Sequence, residues 1–299
     1  MKSTNLNKTM AALALALMTL TSATAFAQSS APANTSEANA KDWKKNIKVT
    51  LSVDYYGQAV NDLGTMAQPD IASGARDMTS PSYFEPALIA GYKVGETTIG
   101  GAAALDYRPT LLDFKSQKAV TWLDPQLRAT NGNIYTKGNF SLGTQMRVYL
   151  GVTEGSIKKN MLTNLRWYQF YSLEVPGSRW SVSAVTYLRQ YIYGDSAVAG
   201  TPRKTFEFYA GPQVNYQVTQ NTRLWLLFEY TGTQFNSTSF FSLRRPDDAD
   251  RGPGTDAEFG ATWDINSKLS LTPYIDVKTA DRVALDTTTI NANLTYRPL

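Results

Sequence analysis

The amino-acid sequence predicts an all-β protein, a transmembrane antiparallel up-and-down β-barrel of about 12 strands. Three observations support this prediction. Apolar and polar residues alternate along about 12 segments, short and long connections alternate between the segments, and aromatic residues gather near both ends of the apolar faces. Because successive side chains on a strand point to opposite faces, each segment has one apolar and one polar face.

The clearest alternation begins at Phe206. As far as Val218 the even positions are apolar or aromatic, whereas the odd positions, which begin with Glu207, are mostly polar. A polar break at residues 219–222 precedes a second apolar row that starts at Leu224, and this arrangement predicts a hairpin. Each arm has about the 9–11 residues that a tilted strand needs to cross a membrane.

Similar alternation along the chain predicts the other strands. In chain order, and with the hairpin included, the predicted strands cover residues 47–56, 83–94, 97–107, 120–135, 140–152, 162–175, 180–193, 204–218, 223–231, 255–265, 269–278 and 287–297. The short turns are 95–96, 136–139, 176–179, 219–222 and 266–268, and the longer connections are 57–82, 108–119, 153–161, 194–203, 232–254 and 279–286. Membrane barrels have this strict alternation, with short turns on one side and longer loops on the other.

Aromatic residues in the apolar phase are sorted by their position along the strands. Near the short turns they are Tyr92, Tyr135, Phe140, Trp180, Tyr216, Trp263 and Tyr296. Near the long loops they are Tyr55, Phe84, Tyr107, Phe206, Phe208 and Tyr230. Leu, Val, Ala and Ile dominate between these two groups, as expected for two aromatic girdles around a lipid-facing band.

Four prolines, Pro86, Pro125, Pro212 and Pro273, lie inside predicted strands and remove a backbone donor from the ladder. One interpretation is that they mark local bulges or strand-end kinks. The other is that some of the predicted strand boundaries are wrong.

The N-terminus predicts export. Residues 1–27 combine a basic start (Lys2, Lys8), an apolar core and an Ala25-Phe26-Ala27 cleavage site, as in a secretory signal peptide. Residues 28–46 are predicted to be a flexible leader, and the barrel domain is predicted to occupy 47–299. Removing the signal peptide lowers the net charge from +4 to +2, so the charge does not favour a nucleic-acid partner.

The composition excludes several other classes of protein. After the first 30 residues no run of 18 or more apolar residues occurs, which excludes a bundle of membrane-spanning helices. The chain contains no histidine and no cysteine, so Ser-His and Cys-His catalytic sites and His-based zinc sites cannot form. We therefore predict a protein that is not an enzyme and that needs no cofactor. An enzyme with an all-carboxylate site near a loop is the third hypothesis, after a pore and a surface-interaction barrel.

Taken together, the signal peptide, the strand–turn–strand pattern and the alternating last strand (Ile290, Ala292, Leu294 and Tyr296) resemble those of a Gram-negative outer-membrane β-barrel of the small porin-like type. This resemblance implies a location in the bacterial outer membrane, in contact with membrane lipid and lipopolysaccharide. With about twelve strands, the chain also resembles the small monomeric channels for acidic sugars or nucleosides, which implies small hydrophilic solutes as the molecules handled.

If the apolar phase faces lipid, the polar phase faces the lumen, where rings of charge select ions. The predicted pore-lining residues are Lys93, Arg128, Arg147, Arg166, Arg189, Glu174, Glu207, Glu229, Glu258, Asp276 and Lys278. Arg147, Arg166 and Arg189 lie on consecutive strands and are expected to form a basic ladder on one wall. Glu207, Glu229 and Glu258 are expected to form an opposing acidic arc, and the resulting transverse field favours dipolar or zwitterionic solutes.

The function predicted from this lumen is a passive diffusion pore for small hydrophilic solutes. A second interpretation is that the charged residues pair across the lumen and fill it. An alternative role is a structural or surface-interaction barrel that presents the loops 57–82 and 232–254 to a partner. The charge run 244–251 is typical of a solvated loop tip, although it could bind a divalent cation or lipopolysaccharide phosphates.

Overall fold

The computed structural model describes residues 43–57, 60, 82–108, 119–194, 203–235, 254–278 and 288–298. Thirteen strands and one short helix make up the barrel region. The strands are β1 (Ile47–Tyr56), β2 (Tyr83–Val94), β3 (Thr97–Tyr107), β4 (Val120–Trp122), β5 (Gln126–Lys137), β6 (Phe140–Leu150), β7 (Met161–Glu174), β8 (Trp180–Tyr193), β9 (Lys204–Thr219), β10 (Thr222–Phe235), β11 (Gly254–Asp264), β12 (Leu269–Lys278) and β13 (Thr288–Tyr296). The helix α1 covers Glu154–Lys158.

The sheet is a closed antiparallel barrel. β1 pairs with β2 on one side and with β13 on the other, β2 pairs with β3, and β3 pairs with β5. From β5 to β13 each strand pairs with the next along the chain. Twelve strands therefore form the ring, as predicted, and the three-residue β4 is an additional strand that pairs with β3. Among the described residues, every strand of the twelve-strand ring therefore pairs on both sides, which is what a sheet needs in hydrocarbon.

The predicted strand at 120–135 is wrong as a single element. It is divided into β4 and β5 by residues 123–125, at the position of Pro125. Proline cannot donate a ladder hydrogen bond, so the strand ends before it. The Pro125 carbonyl still accepts from the Leu150 amide at 2.9 Å, and the chain therefore stays attached to the neighbouring strand.

The other three prolines lie within continuous strands. Each is directly opposite a residue of one neighbouring strand without a register shift: Pro86 with Val53, Pro212 with Ala184 and Pro273 with Ala292. Towards the other neighbouring strand the ladder has a gap at the proline, because its nitrogen carries no hydrogen. The strand assignments at these three positions are therefore correct, and the expected bulges are absent there.

Two predicted connections differ from the expected loops. The predicted loop 153–161 contains α1, and β10 continues through Phe235 into the segment predicted as loop 232–254. Asp124 lies in the break after β4 and stabilises the start of α1 through hydrogen bonds. Its carboxylate accepts hydrogen bonds from the Thr153 amide at 3.0 Å and the Thr153 hydroxyl at 2.8 Å, and also from the Ser156 hydroxyl. The short turns use glycine where φ is positive, as at Gly95 (59°) and Gly138 (58°).

The apolar phase of the strands faces outward, as predicted. One register row on this face connects Val182, Val214, Leu226, Phe259, Ile275 and Ile290 across six strands. All six side chains are exposed at the barrel surface, from 37% for Leu226 to 54% for Phe259. A closed barrel with a belt of exposed aliphatic and aromatic side chains has the outer surface expected of a transmembrane β-barrel.

The aromatic residues at the two ends of the strands contact one another across neighbouring strands. At the short-turn ends the Trp180 and Tyr216 rings lie 4.7 Å apart, between centroids. At the long-loop ends the Tyr55 and Phe84 rings lie 5.2 Å apart, and the Phe208 and Tyr230 rings 6.4 Å apart. These contacts place the predicted girdles at both rims of the apolar belt.

Replacing Leu226 by arginine is expected to lower the free energy of unfolding by about 2–4 kcal/mol, the cost of a cation near the middle of a lipid-facing strand. Urea-driven unfolding from lipid vesicles measures this value. The matched control is Leu227→Arg, since Leu227 is the next residue and faces the lumen opposite Glu258. An equal loss in both variants would contradict the assignment of the two faces.

The N-terminal assignments lie mostly outside the described residues. The predicted signal peptide 1–27 and residues 28–42 of the predicted leader are not described, and residues 43–46 form a helical turn. Within the described part of the chain, no helix has both the length and the apolar character needed to span a membrane.

Candidate functional site

The polar phase of the strands lines the barrel interior. Almost all of the buried polar side chains belong to this phase: Gln145, Asn164, Glu207, Asn215, Thr233, Ser270 and Asn291. Asn164 is completely inaccessible to solvent. Since the apolar phase covers the outside, these residues make the lumen a hydrogen-bonding surface.

Four arginines lie side by side in the lumen. Strand register places Arg128 opposite Arg147, Arg147 opposite Arg166, and Arg166 opposite Arg189. Neighbouring strands are about 4.8 Å apart, so the row from β5 to β8 spans about 14 Å. We call these four residues the arginine row. The expected ladder of three arginines thus has a fourth member, Arg128.

Amide side chains orient three of the four guanidinium groups. In each case the arginine Nε donates a hydrogen bond to the side-chain oxygen of a lumen-facing Gln or Asn. The pairs are Arg128 with Gln126 (2.9 Å), Arg147 with Gln145, and Arg189 with Asn164 (2.8 Å). Because Nε of each of these arginines bonds to an amide, the two terminal nitrogens point away from that amide and present paired hydrogen-bond donors.

Tyrosine rings support the same row. The guanidinium carbon of Arg147 lies 4.2 Å from the Tyr168 ring centroid, that of Arg166 lies 4.5 Å from Tyr187, and that of Arg189 lies 4.5 Å from Tyr191. In addition, Arg166 Nη1 donates to the Tyr168 hydroxyl at 2.6 Å. Aromatic faces stabilise cations without neutralising them, so the row keeps its positive charge.

Glu207 ends the arginine row and does not belong to an opposing acidic arc, so that prediction is wrong for this residue. Register places Glu207 directly opposite Arg189. Its carboxylate lies 3.7 Å from Arg189 Nη1 and 3.3 Å from Lys204 Nζ. It also accepts hydrogen bonds from the hydroxyls of Tyr187 (2.8 Å) and Tyr191 (3.1 Å). Its side chain is only 6% exposed.

Carboxylates concentrate on the strands that complete the ring, β10 to β12 and β1 to β2. Here carboxylates face carboxylates across neighbouring strands. The pairs are Asp54 with Glu85, Glu229 with Asp256, and Glu258 with Asp276. We call these six residues the acidic wall. Asp54, Glu229 and Asp276 each lie seven residues from the short-turn end of their strand. Arg147 lies at the same distance from the short-turn end of β6, so the acidic wall and the arginine row occur at a similar depth in the barrel.

The remaining predicted pore-lining residues lie near the ends of the strands. Lys93 lies beside the turn after β2 and forms an exposed 3.7 Å ion pair with Glu96. Glu174 is exposed at the short-turn end of β7. The Lys278 side chain and the charge run 244–251 lie outside the described part of the chain, and so do most residues of the loops 57–82 and 232–254.

The wall beside the arginine row, on β2 and β3, has small side chains. Gly91 faces Gly100, and the lumen-facing positions that follow on β3 are Ala102 and Ala104. A Cβ atom at Gly100 would collide with the Ala90 carbonyl oxygen, so this position requires glycine. A cavity of about 70 Å³ lies here and is lined by Gly91, Gly100 and Arg128, among others.

A larger cavity of about 290 Å³ lies at the short-turn end of the lumen. It is lined almost entirely by polar and charged residues, which include Arg223, Asp264 and Arg297. The lumen therefore has a polar vestibule at this end and a charged section nearer to the long loops.

The fold is that of solved outer-membrane channels. The structure superimposes on an outer membrane channel from Pseudomonas putida F1 with a TM-score of 0.50 and 15% identity, over 84% of this chain and 95% of that chain. It is also similar to the NanC porin (TM-score 0.49, 9% identity, 84% and 100% coverage) and to the KdgM porin (TM-score 0.43, 10% identity, 83% and 98% coverage). No protein-family model matches the chain, and no curated protein matches its sequence.

Alternation alone did not predict the tyrosines that contact the arginine row or the amides that orient it. The sequence places Tyr149, Tyr168 and Tyr187 on the lumen face, but it does not show which residue each one contacts. Register supplies that information, since it sets Tyr168 opposite both Gln145 and Tyr187. A signal was nevertheless present, because Arg or Gln occurs two positions before or after each of these tyrosines.

Proposed function

We propose that the protein is a passive diffusion pore for small hydrophilic solutes in the bacterial outer membrane. The observation that carries this proposal is the opposition of the arginine row and the acidic wall inside a closed barrel. A lumen with both signs of charge at a similar depth creates a transverse field, which orients water and dipolar solutes as they pass.

The outer surface supports the proposed location. An apolar belt with aromatic girdles at both rims fits a bilayer, and the aromatic rings sit at the level of the lipid headgroups. We propose that membrane lipid and lipopolysaccharide cover this surface. We also propose that residues 1–27 act as a cleaved signal peptide that directs export.

A transport role explains the lumen better than an enzymatic one. The chain contains neither histidine nor cysteine, the usual general base and the most reactive nucleophile. Its arginines are fixed by amides, tyrosines and one carboxylate, an arrangement that holds positive charge in place on one wall of the lumen. Such fixed charge selects solutes and does not by itself break bonds.

Reconstitution tests the proposed pore. Purified, refolded protein added to planar lipid bilayers is expected to produce discrete, stepwise increases in conductance. Liposomes that contain the protein are expected to swell faster in small sugars than in large ones, since a pore of fixed diameter admits small solutes more readily. The control is the same preparation unfolded by heating before it is added. Bilayers that stay silent over several folded preparations would refute the pore.

A further inference from the structure

The arginine row carries more positive charge than its surroundings neutralise. Among the described residues, Glu207 is the sole carboxylate that forms an ion pair with any of the four arginines, and it does so through Arg189. Like charges directly opposite each other on neighbouring strands destabilise a sheet, and charges removed from water need partners. Four guanidinium groups against one carboxylate therefore favour the binding of an anion.

The groups are held ready for such an anion. Amides orient Arg128, Arg147 and Arg189 through Nε, and tyrosine rings support three of the four cations. The Nε of Arg166 is buried and has no hydrogen-bond partner within the described structure. Two N–H groups of one guanidinium can bind two oxygens of a carboxylate or phosphate at the same time. The row therefore offers several such paired donors, separated by the distance between neighbouring strands.

The rest of the lumen confines an anion to this row. The acidic wall repels negative charge. The cavity of about 70 Å³ beside Arg128 is lined by Gly91 and Gly100, among others, and it adds one further cation, Lys48. An extended solute is therefore held along the row and not across the lumen. The spacing of neighbouring strands, about 4.8 Å, sets the preferred separation between its charged groups.

We infer that the arginine row is a binding track for anionic solutes that carry at least two carboxylate or phosphate groups about 5 Å apart. This inference names a solute class for the proposed pore and rests on that function. Two or more charged groups engage neighbouring guanidinium forks at once, so a multivalent anion binds more tightly than a monovalent one.

Equilibrium binding in detergent micelles tests the track without requiring conduction. Calorimetric titration at low ionic strength compares citrate with acetate for carboxylates, and pyrophosphate with inorganic phosphate for phosphates. We expect at least one multivalent anion to bind ten times more tightly than its monovalent counterpart. The double variant R147Q/R166Q is expected to lose tenfold or more in that affinity. The control R223Q/R297Q removes the same charge from the short-turn cavity and is expected to lose less than threefold.

The outcomes separate the track from the pore. Citrate or pyrophosphate binding that depends on the row supports the track, even if bilayers show no conductance and the pore fails. Conducting protein that binds multivalent and monovalent anions equally, or that binds neither, overturns the track and leaves the pore standing. An equal loss in the control variant also overturns it. If R147Q/R166Q does not fold, the single variant Arg128→Gln is expected to weaken binding threefold, and an unchanged affinity overturns the proposal.

Discussion

Exchanging Arg147 and Arg166 together for glutamate is expected to shift the ion preference of the pore strongly from anions towards cations. The wild-type row sets four arginines against one glutamate, Glu207, whereas the variant sets two arginines against three glutamates. The sign of the charge along this wall therefore reverses. The four arginines of the row are half-buried, so their charges are screened less than those of fully exposed groups.

Reversal potentials under a KCl gradient measure this shift. We expect the permeability ratio of chloride to potassium to fall at least tenfold, which corresponds to about 1.4 kcal/mol in relative barrier height. The matched control exchanges Arg223 and Arg297 for glutamate, which changes the total charge by the same amount but in the vestibule at the short-turn end. That variant is expected to shift the ratio less than threefold.

Two results would contradict the selectivity assigned to the row. One is an unchanged reversal potential in a variant that still conducts and migrates as a folded barrel. The other is an equal shift in the vestibule control, because it would mean that total charge, and not the position of the arginines, determines selectivity. Raising the salt from 0.1 M to 1 M is expected to weaken the wild-type preference, since the Debye length falls from about 10 Å to about 3 Å.

Much of this fold could be predicted from the sequence because a barrel strand has a period of two. Alternation assigned the lumen and lipid faces, the placement of aromatics indicated the girdles, and the alternation of turns and loops gave the number of strands. The break at Pro125 could not be predicted, because Pro86 has the same local signal and lies in a continuous strand. The neighbouring strand towards which each proline nitrogen points depends on how the strands pair, and the sequence does not show that pairing.

The contents of the lumen were less predictable because register decides which charges meet. Short turns restrict register, which is why Arg166 and Arg189, joined through the turn 176–179, were expected on one wall. A long loop, 194–203, separates β8 from β9, so the sequence does not show that Glu207 lies opposite Arg189. The expected acidic arc failed at this residue, although Glu229 and Glu258 do lie on the strands of the acidic wall.

Replacing Glu207 by glutamine is expected to lower the free energy of unfolding by about 3 kcal/mol, among the largest effects of any single lumen change. The carboxylate is 6% exposed and Arg189 is 18% exposed, so the pair is poorly reached by water. Removing one partner of a buried ion pair leaves an uncompensated charge and costs about 3–5 kcal/mol. Glutamine keeps one side-chain oxygen that accepts from Tyr187, but its NH₂ group replaces the oxygen that accepts from Tyr191, so the loss includes one hydrogen bond as well as the charge.

Urea unfolding from lipid vesicles measures this loss, with Glu174→Gln as the control. Glu174 is exposed at the short-turn end of β7, and its replacement is expected to change stability by no more than about 0.5 kcal/mol. Adding Arg189→Met to Glu207→Gln removes the unpaired charge of Arg189. The double variant is expected to recover part of the lost free energy of unfolding, so the effects of the two changes are not additive. Strict additivity would mean that Glu207 and Arg189 do not stabilise each other. In that case only Lys204 and the two tyrosines would stabilise the buried carboxylate of Glu207.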